Sequence, residues 1–455
     1  MTGHAREAAE QALAAAGEDE AEAVALGERS GLARFASSEV HQPTLIENLV
    51  VTLRVVRGGR VGLAVTNRVD EKGLRELAVR ARETADSTVA EPNFPGLADP
   101  APVPEVEGYD AATAAVGPEE QARAAAAAID AVDDAGLYGF YTSGVTELAV
   151  VSTTGVTVEQ EMTDVTALVL AAGEGMSGYA EQTSWRASDV DPAAVAHEAA
   201  EKARRTRDAK PLEPGAYRAV LEPYAFADLL EYFAYDSLGA LGLLEERSYF
   251  SGRLGEKLFD EKVTIVDDAL DPLGLTKAFD FEGVPKQRVP LVADGVACGV
   301  VWDRTTAGRA ESGQATTGHA PPPLLQEYGP LPFALEVDAG EAGSVEELVE
   351  LVGDGIYITR LHYLGVVHPR EGVITGMTRD GTFRIRDGKI AEPLVNLRFT
   401  VSVPRMLEEV PGLTRARTLV NASDFYGERY PFGTLVPALA TARFTITGTG
   451  SGPGI

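Results

Sequence analysis

The sequence predicts an α/β (α+β) protein in two parts, a mixed helix–sheet N-terminal domain followed by a β-rich C-terminal domain. Three observations predict it. The chain has 455 residues, about three times a usual domain. Through the first half, runs with helical spacing alternate with runs of period two. Beyond residue 215 helices become sparse, and short apolar runs are divided by Gly, Pro and Asp-Gly turns. The stretch Lys210-Pro-Leu-Glu-Pro-Gly215 is the natural boundary, giving domains 1–210 and 211–455.

Residues 1–27, rich in Ala and Glu, predict an amphipathic helix ending near Gly27. Residues 34–40 alternate, as do 48–57, where Val51, Leu53 and Val55 share one face and Val50, Thr52, Arg54 and Val56 the other. Gly58-Gly59 then turns the chain into 61–66, a hairpin pattern. Helical spacing returns over 70–85 with Leu74, Leu77 and Ala81 inward. Residues 91–118 carry six prolines and predict an extended connection. A helix over 118–133 opens with Pro and two acids, which suit its first turn. Strands over 138–143, 146–153 and 155–172 and a helix over 192–207 complete the first domain.

In the second domain the expected elements are a strand at 217–221, a helix at 225–244 and a further helix at 345–351. Strands are expected at 263–267, 289–302, 355–359, 382–386, 397–403 and 440–447. Asp294-Gly295, Asp380-Gly381 and Asp387-Gly388 read as turns.

Composition narrows the function. Asp and Glu outnumber Lys and Arg 69 to 40, a formal charge of −29, which repels phosphate backbones and argues against direct nucleic-acid binding. The densest basic cluster, Lys202-Ala-Arg-Arg-Thr-Arg207, reads as a solvated helix face. The single cysteine, Cys298, excludes internal disulfides and Cys-rich metal sites, and its apolar surroundings predict a buried thiol. Neither a leader pattern at the start nor a run of about 20 apolar residues is evident, so the expectation is a soluble cytoplasmic protein with no membrane partner.

Local chemistry is sparse. The six histidines form no HxH or HxxxH pair. His197-Glu-Ala-Ala-Glu201 resembles the start of a zincin helix, but Glu201 stands where a second imidazole is needed, so the segment reads as an exposed helix. Neither Gly-x-Ser-x-Gly nor a GxxxxGK[ST] loop is present. The glycine-rich Gly448–Gly454 stretch has no helix after it and reads as a tail. Arg304, Arg309, Glu311 and His319 share a polar loop that by itself names no reaction.

The order of motifs is more informative. Arg34-Phe-Ala-Ser-Ser-Glu-Val-His-Gln42, Arg60-Val-Gly-Leu-Ala-Val-Thr-Asn67, Phe279-Asp-Phe-Glu-Gly-Val-Pro285 with the following run to Arg304, Gly355-Ile-Tyr-Ile-Thr359 through His368-Pro, Thr375-Gly-Met-Thr-Arg-Asp-Gly381, Asp387-Gly-Lys-Ile390 and Asn396-Leu-Arg-Phe399 together resemble the TldD/PmbA family. These are the two related subunits of a bacterial zinc metalloprotease once described as modulators of DNA gyrase.

The resemblance implies the family's fold and, for its catalytic subunit, an HExxxH helix after the domain boundary with a later cysteine ligand. Here the matching helix reads Leu229-Leu-Glu-Tyr-Phe-Ala-Tyr-Asp236. Glu231 stands for the first histidine, Tyr232 for the catalytic glutamate and Asp236 for the second histidine, and no cysteine follows Cys298. Two carboxylates lack the imidazole and thiolate donors that hold zinc, and a tyrosine is no carboxylate base for water.

The chain is therefore similar to the TldE (PmbA) type, with neither catalytic nor metal residues of its own. The implied partners are a TldD-type catalytic subunit carrying the zinc, and unfolded peptides such as antitoxins or natural-product leader segments. Strand addition at Val366, Val367, His368, Thr375, Gly376 and Met377 is the expected peptide-binding mode. Two other readings are a diverged stand-alone enzyme working through Glu231 and Asp236, and a homodimeric peptide-binding regulator.

Overall fold

The computed structural model describes residues 4–310, 313–423 and 427–450. The first domain runs α1 (His4–Ala16), β1 (Glu20–Ala36), β2 (Glu39–Arg57), β3 (Arg60–Thr66), α2 (Glu71–Ser87), α3 (Ala111–Ala114), α4 (Pro118–Asp130), β4 (Gly136–Ser152), β5 (Thr157–Gly173), β6 (Met176–Ser184) and α5 (Pro192–Arg205). Its strands form one antiparallel sheet in the order β3-β2-β1-β4-β5-β6.

The expected helix over 1–27 is corrected here. It ends at Ala16, where Gly17 takes a left-handed φ of 68°, and the chain re-enters as β1. Alanine favours a helix locally, but Ala21, Ala23 and Ala25 alternate with Glu20, Glu22 and Val24. Pairing to β2 and β4 along nearly the whole strand outweighs that propensity. The two strands expected at 138–143 and 146–153 are one, β4. Its Gly144 lets Arg429 and Ser30 approach: a Cβ there would lie 2.7 Å from Ser30 Cβ. β6, with little apolar alternation, has no counterpart among the expected elements.

The two faces of this sheet have different partners. Ala23, Ala25, Val51, Leu53 and Val55 pack under α1 and α2, and Phe35, Leu137, Val165 and Val169 under α4 and α5. The opposite face, with Val24, Leu26, Leu148 and Val150, is covered by Phe279, Phe281 and Tyr430 of the second domain. Arg54 and Thr52, on the face of β2 opposite Val51, Leu53 and Val55, are buried as well.

The second domain contains β7 (Gly215–Leu221), α6 (Pro223–Ser237), α7 (Ala240–Leu244), β8 (Ile265–Asp267), β9 (Val289–Ala293), β10 (Val296–Ala297), α8 (Arg304–Arg309), β11 (Leu335–Val337) and α9 (Val345–Val352). It continues with β12 (Gly355–His368), β13 (Val373–Arg386), β14 (Lys389–Pro393), β15 (Leu397–Ser402), α10 (Val403–Met406), β16 (Gly412–Asn421) and β17 (Gly433–Thr449). β17, β15, β13, β12 and β7 are neighbours in that order, and β7 pairs back to β17, so these five strands close a ring.

The single helix expected at 225–244 is two. Gly239 bridges Val301, and its Cα passes so near the Pro330 carbonyl that a Cβ would sit 2.3 Å away. Asp380-Gly381 is no turn but a kink inside β13, with φ of 54° and 135°. Asp294-Gly295 and Asp387-Gly388 do turn the chain. Cys298 is exposed rather than buried, because the strand ends at Ala297. Lys202 is not simply solvated: its ammonium sits 2.7 Å from Glu198 and 2.6 Å from Glu222. His197 is exposed.

In the 303–319 segment, Arg304 donates to the carbonyls of Pro95, Gly96 and Leu97 and Arg309 pairs with Glu91 at 2.8 Å. Both cations thus tether the proline-rich connection. His319 is buried against Asp267 at 2.7 Å. Glu311 and residues 451–454 lie outside the described residues. Among the described residues no helix is long and apolar enough to cross a membrane.

Candidate functional site

α6 is built by local rules and then put to an unusual use. Pro223 opens it in the position where the missing N–H costs nothing. Its inward face, Phe226, Leu229, Leu230 and Phe233, packs on the strand ring among Ile356, Ile358, Leu361, Phe399 and Phe444. The carboxylate of Glu222, just before the helix, accepts from Tyr357, Thr359 and Lys202. That fixes the helix start against β12.

The other face carries Asp228, Glu231, Tyr232 and Tyr235, the i, i+3, i+4, i+7 stripe of a helix. Of these, Glu231, Tyr232 and Tyr235 line a hollow of about 580 Å³ together with Leu331, Pro332, Phe333, Phe432 and Val366 of β12. Phe333 and Phe432 meet edge to face with ring centroids 4.9 Å apart, and Tyr235 meets Tyr328 at 5.5 Å.

Burial raises each of the acids in and beside this hollow. Burial pushes Glu231 up to about 8, Asp228 beside it adds to the shift, and the Thr434 hydroxyl donates to its Oε1 at 2.8 Å. Burial likewise raises Asp228 to about 7, partly offset by Arg360. The same guanidinium lies over the Tyr179 ring at 4.0 Å and bonds Asp380 at 3.0 Å. Glu181, raised by burial, accepts from Tyr179 and from the Asn421 N–H. Asp236 is paired with Arg247 at 2.8 Å. Burial raises Tyr232 above the usual phenol range, so it stays a neutral hydroxyl.

This donor set does not fit a zinc ion. Glu231 holds its proton, Asp236 is committed to a guanidinium, and no imidazole or thiolate lines the hollow. Among the described residues no group of three or more His, Cys, Asp or Glu side chains is placed to hold a metal.

Family models for the PmbA/TldA metallopeptidase domain 1, central domain and C-terminal domain match residues 21–85, 112–207 and 214–448. The chain belongs to the PmbA/TldA (TldD/PmbA) metallopeptidase family. A metalloprotease of Methanothermobacter thermautotrophicus is 31% identical over 221 residues, 47% of this chain and 46% of the relative. A TldD homolog of Haemophilus influenzae, also a metalloprotease by name, is 27% identical over 213 residues, 45% of this chain and 42% of the relative. The chain thus spans about half the length of the curated relatives it matches. In fold it is similar to TldE of Thermococcus kodakarensis, with a TM-score of 0.85 and 18% identity over 97% of this chain and 100% of that one.

In this PmbA/TldA family member the predicted site residues fall into three groups. Glu231, Tyr232 and Asp236 all line the hollow, and Val366 joins them. Val367 and His368 follow on β12 and are exposed. Thr375, Gly376 and Met377 lie on β13, which is paired there on both sides, to β12 and to β15. No strand can be added at these three; the available edge is that of β12.

Several contributors were missed in the sequence reading. Asp228 could have been found, since it lies one turn before Glu231. Phe333, Phe432 and Thr434 come from segments about a hundred and two hundred residues downstream and carry no local signal.

Proposed function

We propose that this chain is the non-catalytic, metal-free subunit of a TldD/TldE-like heterodimeric zinc metallopeptidase. In that assembly a TldD-type partner holds the zinc and this chain helps present unfolded peptides, such as antitoxins or natural-product leader segments. The observation that carries the reading is the state of the acids on α6. Glu231 is neutral and bonded to Thr434, and Asp236 is tied to Arg247, so the helix that would carry a zinc motif instead walls an apolar hollow. The open edge of β12 next to it supports an extended peptide as the species handled.

Co-expression with the TldD-type protein of the same genome, followed by size exclusion and metal analysis, tests this. The expected result is a 1:1 complex with one zinc per heterodimer and peptidase activity that neither chain has alone. A chain that elutes only as a homodimer in the presence of that protein would count against it.

A further inference from the structure

We propose that the hollow beside α6 is a pocket for one aromatic or large aliphatic side chain of an extended peptide, whose backbone adds as a strand to the open edge of β12. This rests on reading the chain as a peptide-handling subunit and specifies which peptides it takes.

The strand edge is the first argument. β12 is paired to β13 as far as His368, but on its other side β7 reaches only Ile356–Ile358. The Glu222 N–H takes the Ile358 carbonyl, and Asp228 takes the Leu361 N–H. Beyond that point, among the described residues, no strand neighbours β12 on this side. An extended backbone is the partner such an edge accepts.

The second argument is continuity. Val366 belongs both to the open edge and to the hollow. A peptide strand laid along residues 363–368 therefore passes the hollow's mouth and can direct one of its alternating side chains inward. The size, about 580 Å³, lies within the range of sites that enclose a small ligand and is far too small for a folded domain.

Charge decides the class of side chain. The chain carries −29 overall, which would favour basic peptides. Inside the hollow, however, Glu231 is engaged by Thr434 and Asp236 by Arg247, leaving no free carboxylate for a Lys or Arg. The walls are instead Phe333, Phe432, Tyr232 and Tyr235. Around the same mouth Tyr232, Tyr235, Tyr328, Val366 and Val367 remain 37–56% exposed, an apolar patch of the kind that marks a binding surface.

The test uses the full chain and a fluorescein-labelled, unstructured decapeptide with one central Phe, compared by anisotropy with its Phe→Ala and Phe→Lys versions. The Phe peptide should bind roughly tenfold or more tightly than either, the discrimination expected from burying one large apolar side chain. In V366W the indole fills the mouth, and the preference should vanish with the melting temperature unchanged, since Val366 is a surface residue. Hydrogen exchange at 363–368 should slow only with the Phe peptide. Equal affinity for the three peptides, no binding, or an undiminished preference in V366W would each overturn the pocket. Those results bear on the pocket alone. Failure to form the partner complex would instead overturn the subunit reading and leave a measured Phe preference standing.

Discussion

Two regions of this chain bury carboxylates, and burial raises the acids in both, Glu22 and Asp280 to about 7 between the sheets and Asp228 to about 7 and Glu231 to about 8 at the hollow; what differs is the partner beside them. Between the sheets, each cluster of buried acids is given a cation. Arg54 reaches Glu22 and Glu282 at 3.1 Å each, joining the first domain to the second, and Arg429 grips Asp164 through two bonds. At the hollow Arg360 acts on Asp228 and Glu181 while bonded to Asp380, and Glu231 has the Thr434 hydroxyl as its partner. Burial and the neighbouring Asp228 push Glu231 up to about 8. The lesson concerns geometry: Arg54 and Arg429 tie acids across the two domains, whereas Glu231 faces the hollow with a hydroxyl as its partner.

The contrast can be broken most forcefully at the interface. R54M strips both Glu22 and Glu282 of their cation, and chemical denaturation should show a loss of about 3–5 kcal/mol. A loss under about 1 kcal/mol would mean that the pair does not lock the domains.

At the hollow the lever is pH. The folded pKa of Glu231, about 8, lies above its unfolded value, so the folded state holds the extra proton. Stability is then full below the unfolded pKa and declines as pH rises towards 8. E231Q mimics the neutral acid, keeps an acceptor for Thr434 and removes this share of the decline. Its stability relative to wild type should be unchanged near pH 4 and higher by on the order of 3–5 kcal/mol at pH 8.5. A variant less stable at pH 8.5 would show that Glu231 is ionised in the fold.

Smaller effects sharpen the picture at the surface. D236A, which removes the partly exposed pair with Arg247, should cost about 0–1 kcal/mol. C298S should change stability by less than about 0.5 kcal/mol. A thiol reagent should label the wild-type chain once under native conditions, because Cys298 is exposed.

How much of this was legible depended on how local each cause is. The Gly58-Gly59 hairpin, the α2 face of Leu74, Leu77 and Ala81, and the proline-opened α4 were readable because neighbours within a few residues decide them. The Glu231-Tyr232-Asp236 helix was singled out only through the family resemblance, and its meeting with Val366 at one hollow carried no sequence signal. What failed depended on distant partners. The alanines of β1 looked helical until two neighbouring strands are counted. Lys202 looked solvated until Glu222 is brought to it. Thr375–Met377 looked like an edge until β15 closes it. The upward shift of Glu231 arises from burial together with the nearby Asp228 and Glu181, against the opposing hydrogen bond of Thr434, a combination that no spacing rule contains.

The central claim, that α6 walls a metal-free apolar site, is tested most directly by titrating zinc into the purified full chain at pH 7 and following heat and bound metal. The account predicts no stoichiometric site, in wild type as in E231A and D236A. One zinc per chain, lost in both variants, would contradict it.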